Sequence, residues 1–310
     1  MPLAVGVIGL GAMGNGMAQS LRRAGHAPQV FDVRQEVARA FAAEGGTACE
    51  SLAQLGAQCD VVVSVVVNAA QTEAVLFGDG DGAGTGAGTG CAATMKPGSV
   101  FVMCSTVDPN WSVALEARLA AMGLLYIDAP ISGGAAKAAS GQMTMMTAGR
   151  PAAYVVAEPF LNAMAGKVYK LGDSAGAGSK VKIINQLLAG VHIAAAAEAM
   201  ALGLREGVDP AALYEVITHS AGNSWMFENR MAHVLAGDYT PLSAVDIFVK
   251  DLGLVLDMAR ASKFPLPLSS TAHQMFMQAS TAGFAREDDS AVIKIFPGIQ
   301  LPDPPGKETP

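Results

Sequence analysis

Lys182, Asn185 and Gln186 stand three and four residues apart, so any helix that carries them sets an amine and two amides on one face. An amine among apolar neighbours such as Val181, Ile183 and Ile184 loses solvation of its charged form. That can lower its pKa toward the range in which it exchanges a proton with an alcohol, although by spacing alone Lys182 reads as an ordinary surface lysine. Lys180 falls on a different face and is read as solvated. Near the start of the chain, Gly9-Leu10-Gly11-Ala12-Met13-Gly14 follows a predicted strand and opens a predicted helix. Glycines at that spacing permit a tight turn, close approach of a pyrophosphate and tight strand-helix packing, and the helix N-terminus favours the phosphate charge. Asp32 ends the next predicted strand, where a carboxylate accepts from the ribose hydroxyls and repels a 2′-phosphate. NAD is therefore favoured over NADP, with Arg34 two residues on softening the choice.

Ile131-Ser132-Gly133-Gly134 follows a strand ending at Asp128. Its paired glycines expose backbone N–H groups and its serine adds a hydroxyl donor, a set that either holds a carboxylate or simply makes a turn. Lys250, in Phe248-Val249-Lys250-Asp251-Leu252, reads as a helical lysine paired with Asp251 or Asp246. Asn223, Ser224, Trp225 and Phe227 fall between predicted helices, where they either close over a ligand or anchor a core. Neither the five histidines nor the four cysteines show metal-ligand spacing, so no metal is expected.

The elements that must position these groups follow from the pattern of the whole chain. Its 310 residues allow about two domains at roughly 150 residues each. Hydrophobic residues make up 51% and charged residues 15%, so the chain buries a large core. A net charge of −7 without a Lys/Arg cluster argues against nucleic acid and anionic lipid as partners. Short β-branched runs at 4–9, 28–32, 61–66, 100–104 and 125–128 alternate with Ala-rich helical stretches at 13–24, 35–44 and 111–122. That alternation predicts an α/β fold, a Rossmann-type doubly wound parallel sheet. A strand pair near 142–147 and 168–171 is expected to extend this sheet. Beyond Gly172 the periodicity turns helical, predicting an all-α C-terminal domain entered through a long helix. The expected division is 1–173 for dinucleotide binding, 174–298 for substrate and oligomerisation, and 299–310 as an irregular tail. Gly78 to Gly90 reads as a flexible loop without chemistry. The apolar tract from Ile183 to Leu204 carries Asn185, Gln186, His192 and Glu198, costly groups in hydrocarbon, and reads as a buried helix rather than a membrane span. It is too apolar all round for one small domain to cover, which implies a homodimer or homotetramer. The absence of a leader pattern and the scattered cysteines suit the cytoplasm.

Taken in order, GVIGLGAMGNGMA, ISGG, GSKVKIINQLLAG and FVKDL resemble the β-hydroxyacid dehydrogenase family, which includes 3-hydroxyisobutyrate dehydrogenase and tartronate semialdehyde reductase. The resemblance covers nearly the whole chain, and further stretches such as THSAGNSWMFENR resemble members acting on four-carbon sugar acids. It implies an NAD-dependent dehydrogenase of a small hydroxy acid. In that reading Gly9, Leu10, Gly11, Ala12, Met13, Gly14 and Asp32 bind NAD, as do Val66 and Val67, whose segment often reads Leu-Pro in relatives. Thr106 lies near the nicotinamide ribose, and Lys250 sits beside the cofactor. Ser132, Gly133 and Gly134 grip the substrate carboxylate, Lys182 is the general acid/base, and Asn185 or Gln186 orients the substrate, with Asn223 as a further contact. Another aldonate or 3-hydroxyacid dehydrogenase, or a semialdehyde reductase, would use the same residues. A non-catalytic dinucleotide-binding module is the reading from another class, and Lys182 weighs against it.

Overall fold

A computed structural model describes residues 2–78 and 90–302. Valine-rich runs form the strands β1 (Val5–Ile8), β2 (Gln29–Phe31), β3 (Thr47–Ala48), β4 (Val61–Ser64), β5 (Val100–Met103) and β6 (Leu125–Asp128). They pair in parallel in the order β3-β2-β1-β4-β5-β6, so the strand order reverses between β1 and β4. Because alternate side chains leave a strand on opposite faces, Val5, Val7, Val61, Val63 and Val100 enter one core, and Ile8, Val62, Phe101 and Met103 another. The helices α1 (Gly14–Arg23), α2 (Gln35–Ala43), α3 (Leu52–Gln58), α4 (Ala69–Phe77) and α5 (Pro109–Ala121) connect these strands. Local chemistry starts several of them: Ser51 accepts from the Gln54 N–H, Asn68 from the Gln71 N–H, and Asp108 from the N–H groups of Asn110 and Trp111.

A three-stranded sheet follows, built from β7 (Ile131–Ser132), β8 (Met143–Thr147) and β9 (Ala165–Lys170), with α6 (Gly134–Ser140) and α7 (Pro151–Met164) between them. This corrects the expectation of one extended sheet. A bridge between Asp128 and Ala148 joins β6 to the new strands, and Pro130, which has no N–H to donate, leaves one hydrogen bond out of the ladder before β7 pairs with β8 in the same register. The expected flexible loop at 78–90 falls almost wholly outside the described residues, as does most of the expected tail.

The chain divides into two units, Met1–Lys182 and Ile183–Pro310. Among the described residues, the named elements of the second are all helical. The 29-residue α8 (Ala177–Arg205) leads into α9 (Pro210–Thr218), α10 (Trp225–Ala236), α11 (Val245–Ser262) and α12 (Pro267–Ala279). By length and composition α8 is apolar enough to cross a membrane, but Ile183, Ile193, Ala197 and Met200 belong to the core of this unit. Phe248 and Phe276 stack there at 5.2 Å. In the same unit Arg230 pairs with Asp289, both buried, with Nη2 3.0 Å from Oδ2. Burial pushes the Asp289 carboxyl up to about 7, against the pull of the guanidinium.

Candidate active site

The glycine-rich loop leaves β1 and is fixed on both sides. Gly9 donates to the Phe31 carbonyl at 2.9 Å, and a Cβ at Gly14 would lie 1.8 Å from the Gly9 carbonyl oxygen, so only glycine lets α1 start this close to the strand. Asp32, 5% exposed, accepts from the Leu10 N–H at 2.7 Å through Oδ2 and from the Arg34 N–H at 2.9 Å through Oδ1. The carboxylate thus holds the loop in place, while Oδ2 keeps a lone pair for a ribose hydroxyl. Gly9, Gly11, Asp32, Val66 and Val67 line one cavity of about 370 Å³ at the position where the strand order reverses. Leu10 and Ala12 border a second groove beside Arg34, and Met13 precedes α1. A bare glycine cradle, a buried carboxylate and a helix N-terminus fit a dinucleotide.

Two loops on the sheet's C-terminal edge are clamped together. Ser105, buried, donates to the Val66 carbonyl at 2.8 Å and lies 3.1 Å from the Thr72 hydroxyl, so the Val66 segment and Thr106 are held by one hydroxyl. Cys104 beside it is buried, and its thiol is pushed up to about 12 by that burial, which leaves it no role as a nucleophile.

Ser132 closes β7, paired with Thr144, and Gly133 and Gly134 follow at φ 139 and 75. Side chains rarely adopt such angles, so the backbone here is available only to glycine. Asp128, fully buried at the end of β6, accepts from the Gly176 and Ser179 N–H groups at 2.8 and 2.9 Å and from the Ser179 hydroxyl at 2.7 Å. Burial raises its carboxyl above the ordinary value, opposed by these donors. Lys182, three residues beyond Ser179 on α8, is only 7% exposed, whereas Lys180 is exposed.

In the second unit, Asn185 donates to the Gln186 side-chain oxygen at 3.1 Å, and Gln186 donates to Asp251 Oδ2 at 2.6 Å. Lys250 pairs with the other oxygen of Asp251 at 2.6 Å. Both amides and Lys250 therefore belong to one network around a buried carboxylate. Asn223 donates to the Thr218 carbonyl at 3.1 Å and to Glu228 at 2.6 Å, while its own oxygen is buried without a hydrogen bond among the described residues. Ser224 caps α10, whose first residue is Trp225.

Sequence reading passed over Asp128, Ser179, Ser105 and Gly178 as site residues. The available signal was an acidic residue closing the apolar run Leu125-Tyr126-Ile127, where a buried carboxylate requires partners.

Residues 4–172 match the NAD-binding domain of 6-phosphogluconate dehydrogenase, and residues 176–296 match the family described as NAD-binding of NADP-dependent 3-hydroxyisobutyrate dehydrogenase. An L-threonate dehydrogenase of Cupriavidus necator is 69% identical over 96% of this chain and 97% of its own. Its counterpart from Escherichia coli K12 is 51% identical over 96% of each chain. The solved structure of a 3-hydroxyisobutyrate dehydrogenase from Salmonella typhimurium, 53% identical, superposes with a TM-score of 0.89 over 95% of this chain and all of that one. With a dinucleotide cradle at its N-terminus and these relatives along its full length, the chain belongs to the 3-hydroxyisobutyrate dehydrogenase-like family of nicotinamide-dependent oxidoreductases.

Proposed function

We propose that this enzyme oxidises L-threonate at C2 to 2-oxotetronate, with NAD as cofactor and Lys182 as the general acid/base. The observation that carries the chemistry is a lysine 7% exposed on the first turns of α8, in a chain that also holds a dinucleotide cradle. The choice of substrate is supported by relatives named L-threonate dehydrogenase at 49–69% identity. A bound nicotinamide would supply the hydride acceptor for the substrate carbon. Gly9, Gly11, Gly14 and Asp32 hold the cofactor, with Val66, Val67 and Thr106 toward its nicotinamide half. Asp32 disfavours a 2′-phosphate, which supports NAD over NADP.

Ser132 and the N–H groups of Gly133 and Gly134 hold the substrate carboxylate and so fix which carbon is presented. Lys182 in its neutral form takes the hydroxyl proton onto Nζ as the carbonyl forms, and returns it in reduction. Asn185 and Gln186, one turn further along the helix, orient the hydroxyl groups. In the same reading Lys250 serves the cofactor and Asn223 the far end of the substrate.

The exposed Ile184, Leu188 and Leu202 of α8 support a homodimer or homotetramer, and four free, buried cysteines support a cytoplasmic setting. NADH formation across hydroxy acids of three to six carbons tests the substrate. L-threonate is expected to give the highest kcat/KM, ahead of D-erythronate and 3-hydroxyisobutyrate. Equal or better turnover of 3-hydroxyisobutyrate overturns the assignment.

A further inference from the structure

Asp128 joins, through its side chain and its own backbone N–H and carbonyl, the segments that carry the proposed substrate clamp and the proposed base. Its two carboxylate oxygens take three donors from the start of α8: the Gly176 N–H at 2.8 Å, the Ser179 N–H at 2.9 Å and the Ser179 hydroxyl at 2.7 Å. The first N–H groups of a helix have no partners within it, and a carboxylate there is favoured both by hydrogen bonding and by the helix dipole. Its backbone is equally committed. The Asp128 N–H donates to Ala148 at 2.9 Å, Ala148 donates back at 2.8 Å, and two residues on the Pro130 carbonyl accepts from Met146 at 2.9 Å. Above this junction Gly178 lies so close that an added Cβ would meet the Met146 carbonyl oxygen at 2.4 Å and that of Asp128 at 2.8 Å. The first turn of α8 is therefore fixed against β6 and β8, with Ser132 four residues after Asp128 and Lys182 three residues after Ser179.

We infer that Asp128 is a positioning residue for proton transfer, holding the first turn of α8 in register with the Ser132–Gly134 segment so that Lys182 is presented to the substrate hydroxyl. The inference rests on the proton role proposed for Lys182. An amide at position 128 can keep the Gly176 and Ser179 N–H groups only on a neutral oxygen, and it turns an NH₂ toward the Ser179 hydroxyl, which must then accept instead of donate, so the charge-assisted hold on the first turn of α8 is lost and the turn is held less firmly. A displacement of about 1 Å in a catalytic group costs on the order of a hundredfold in rate.

The test compares the full-length wild type with Asp128→Asn, Ser179→Ala and Lys182→Ala. The rate of NADH formation from L-threonate in a single turnover at saturating NAD is divided by the number of NADH-binding sites, titrated by fluorescence. Misfolding lowers the number of sites but not the rate per site, so a merely structural role does not move this quantity. Asp128→Asn is expected to slow the per-site rate by about 10- to 100-fold, with the Kd for NADH unchanged and the KM for L-threonate within about threefold. Ser179→Ala keeps both backbone donors and is expected to slow it by about three- to tenfold; it decides the matter if the Asn variant yields no binding sites. Per-site rates of both variants within about twofold of wild type, with Lys182→Ala inactive, overturn the inference and leave the proposed function standing. Turnover retained by Lys182→Ala overturns the proposed function itself.

Discussion

Asp32 shows how one side chain serves fold and chemistry together. Its carboxylate fixes the glycine loop through the Leu10 N–H and lines the cavity at the C-terminal ends of the strands, where the proposed function places the cofactor. Hydrogen bonds to a charged group contribute about 1.5–3 kcal/mol each. Asp32→Ala should therefore weaken NADH binding by about 10- to 100-fold and narrow its preference over NADPH, as measured by fluorescence titration of both. The glycine loop between β1 and α1 and the place of Asp32 at the end of β2 were legible in the sequence because their spacing is local; their role toward a cofactor stays part of the proposed function. The hold of Asp128 on the start of α8 and the bond from Gln186 to Asp251 were not legible, since those partners lie 48 to 65 residues apart and only the fold brings them together, whereas the Lys250–Asp251 pair is adjacent in sequence. Lys182 occupied the middle ground. Spacing alone left it an ordinary lysine, a resemblance raised it to a candidate, and its burial is what the structure contributes.

Elements were legible where hydrophobic pattern and length agreed. The valine runs of β1, β4 and β5 read directly because every position in them is buried, and the longer helices α8, α10, α11 and α12 because each sends apolar residues into the core of the second unit. The two-residue β3 and the seven-residue α3 are too short to show a period, and α7 carries Pro159 in its interior, a residue that ordinarily ends a helix. Strand pairing failed at β7 to β9 because pattern identifies strands but not the sheet they join. The seating of α8 is an element-scale property, and Gly178 tests it. Gly178→Ala puts a Cβ 2.4 Å from a carbonyl oxygen on β8, which neither strand nor helix accommodates without moving. Overpacking of this kind costs about 1–3 kcal/mol. The variant should melt several degrees lower and lose kcat by more than it loses NADH affinity, as read by thermal denaturation alongside steady-state kinetics.

For the molecule as a whole, the two units are stabilised differently. The first encloses its parallel sheet between two apolar cores, whereas the second adds a buried ion pair to its helical core. Removing one member of such a pair leaves a charge in a low-dielectric interior and costs about 3–5 kcal/mol. Arg230→Met should therefore destabilise the protein strongly in urea, and pairing it with Asp289→Asn should recover part of the loss. The account as a whole depends on a proton passing to one buried amine. The most direct measurement is turnover of L-threonate by Lys182→Met, with its Kd for NADH determined on the same preparation. The account predicts a kcat lower by on the order of 10²- to 10⁴-fold and an unchanged Kd. A variant that binds NADH normally and still turns over at more than about a tenth of the wild-type rate would contradict it.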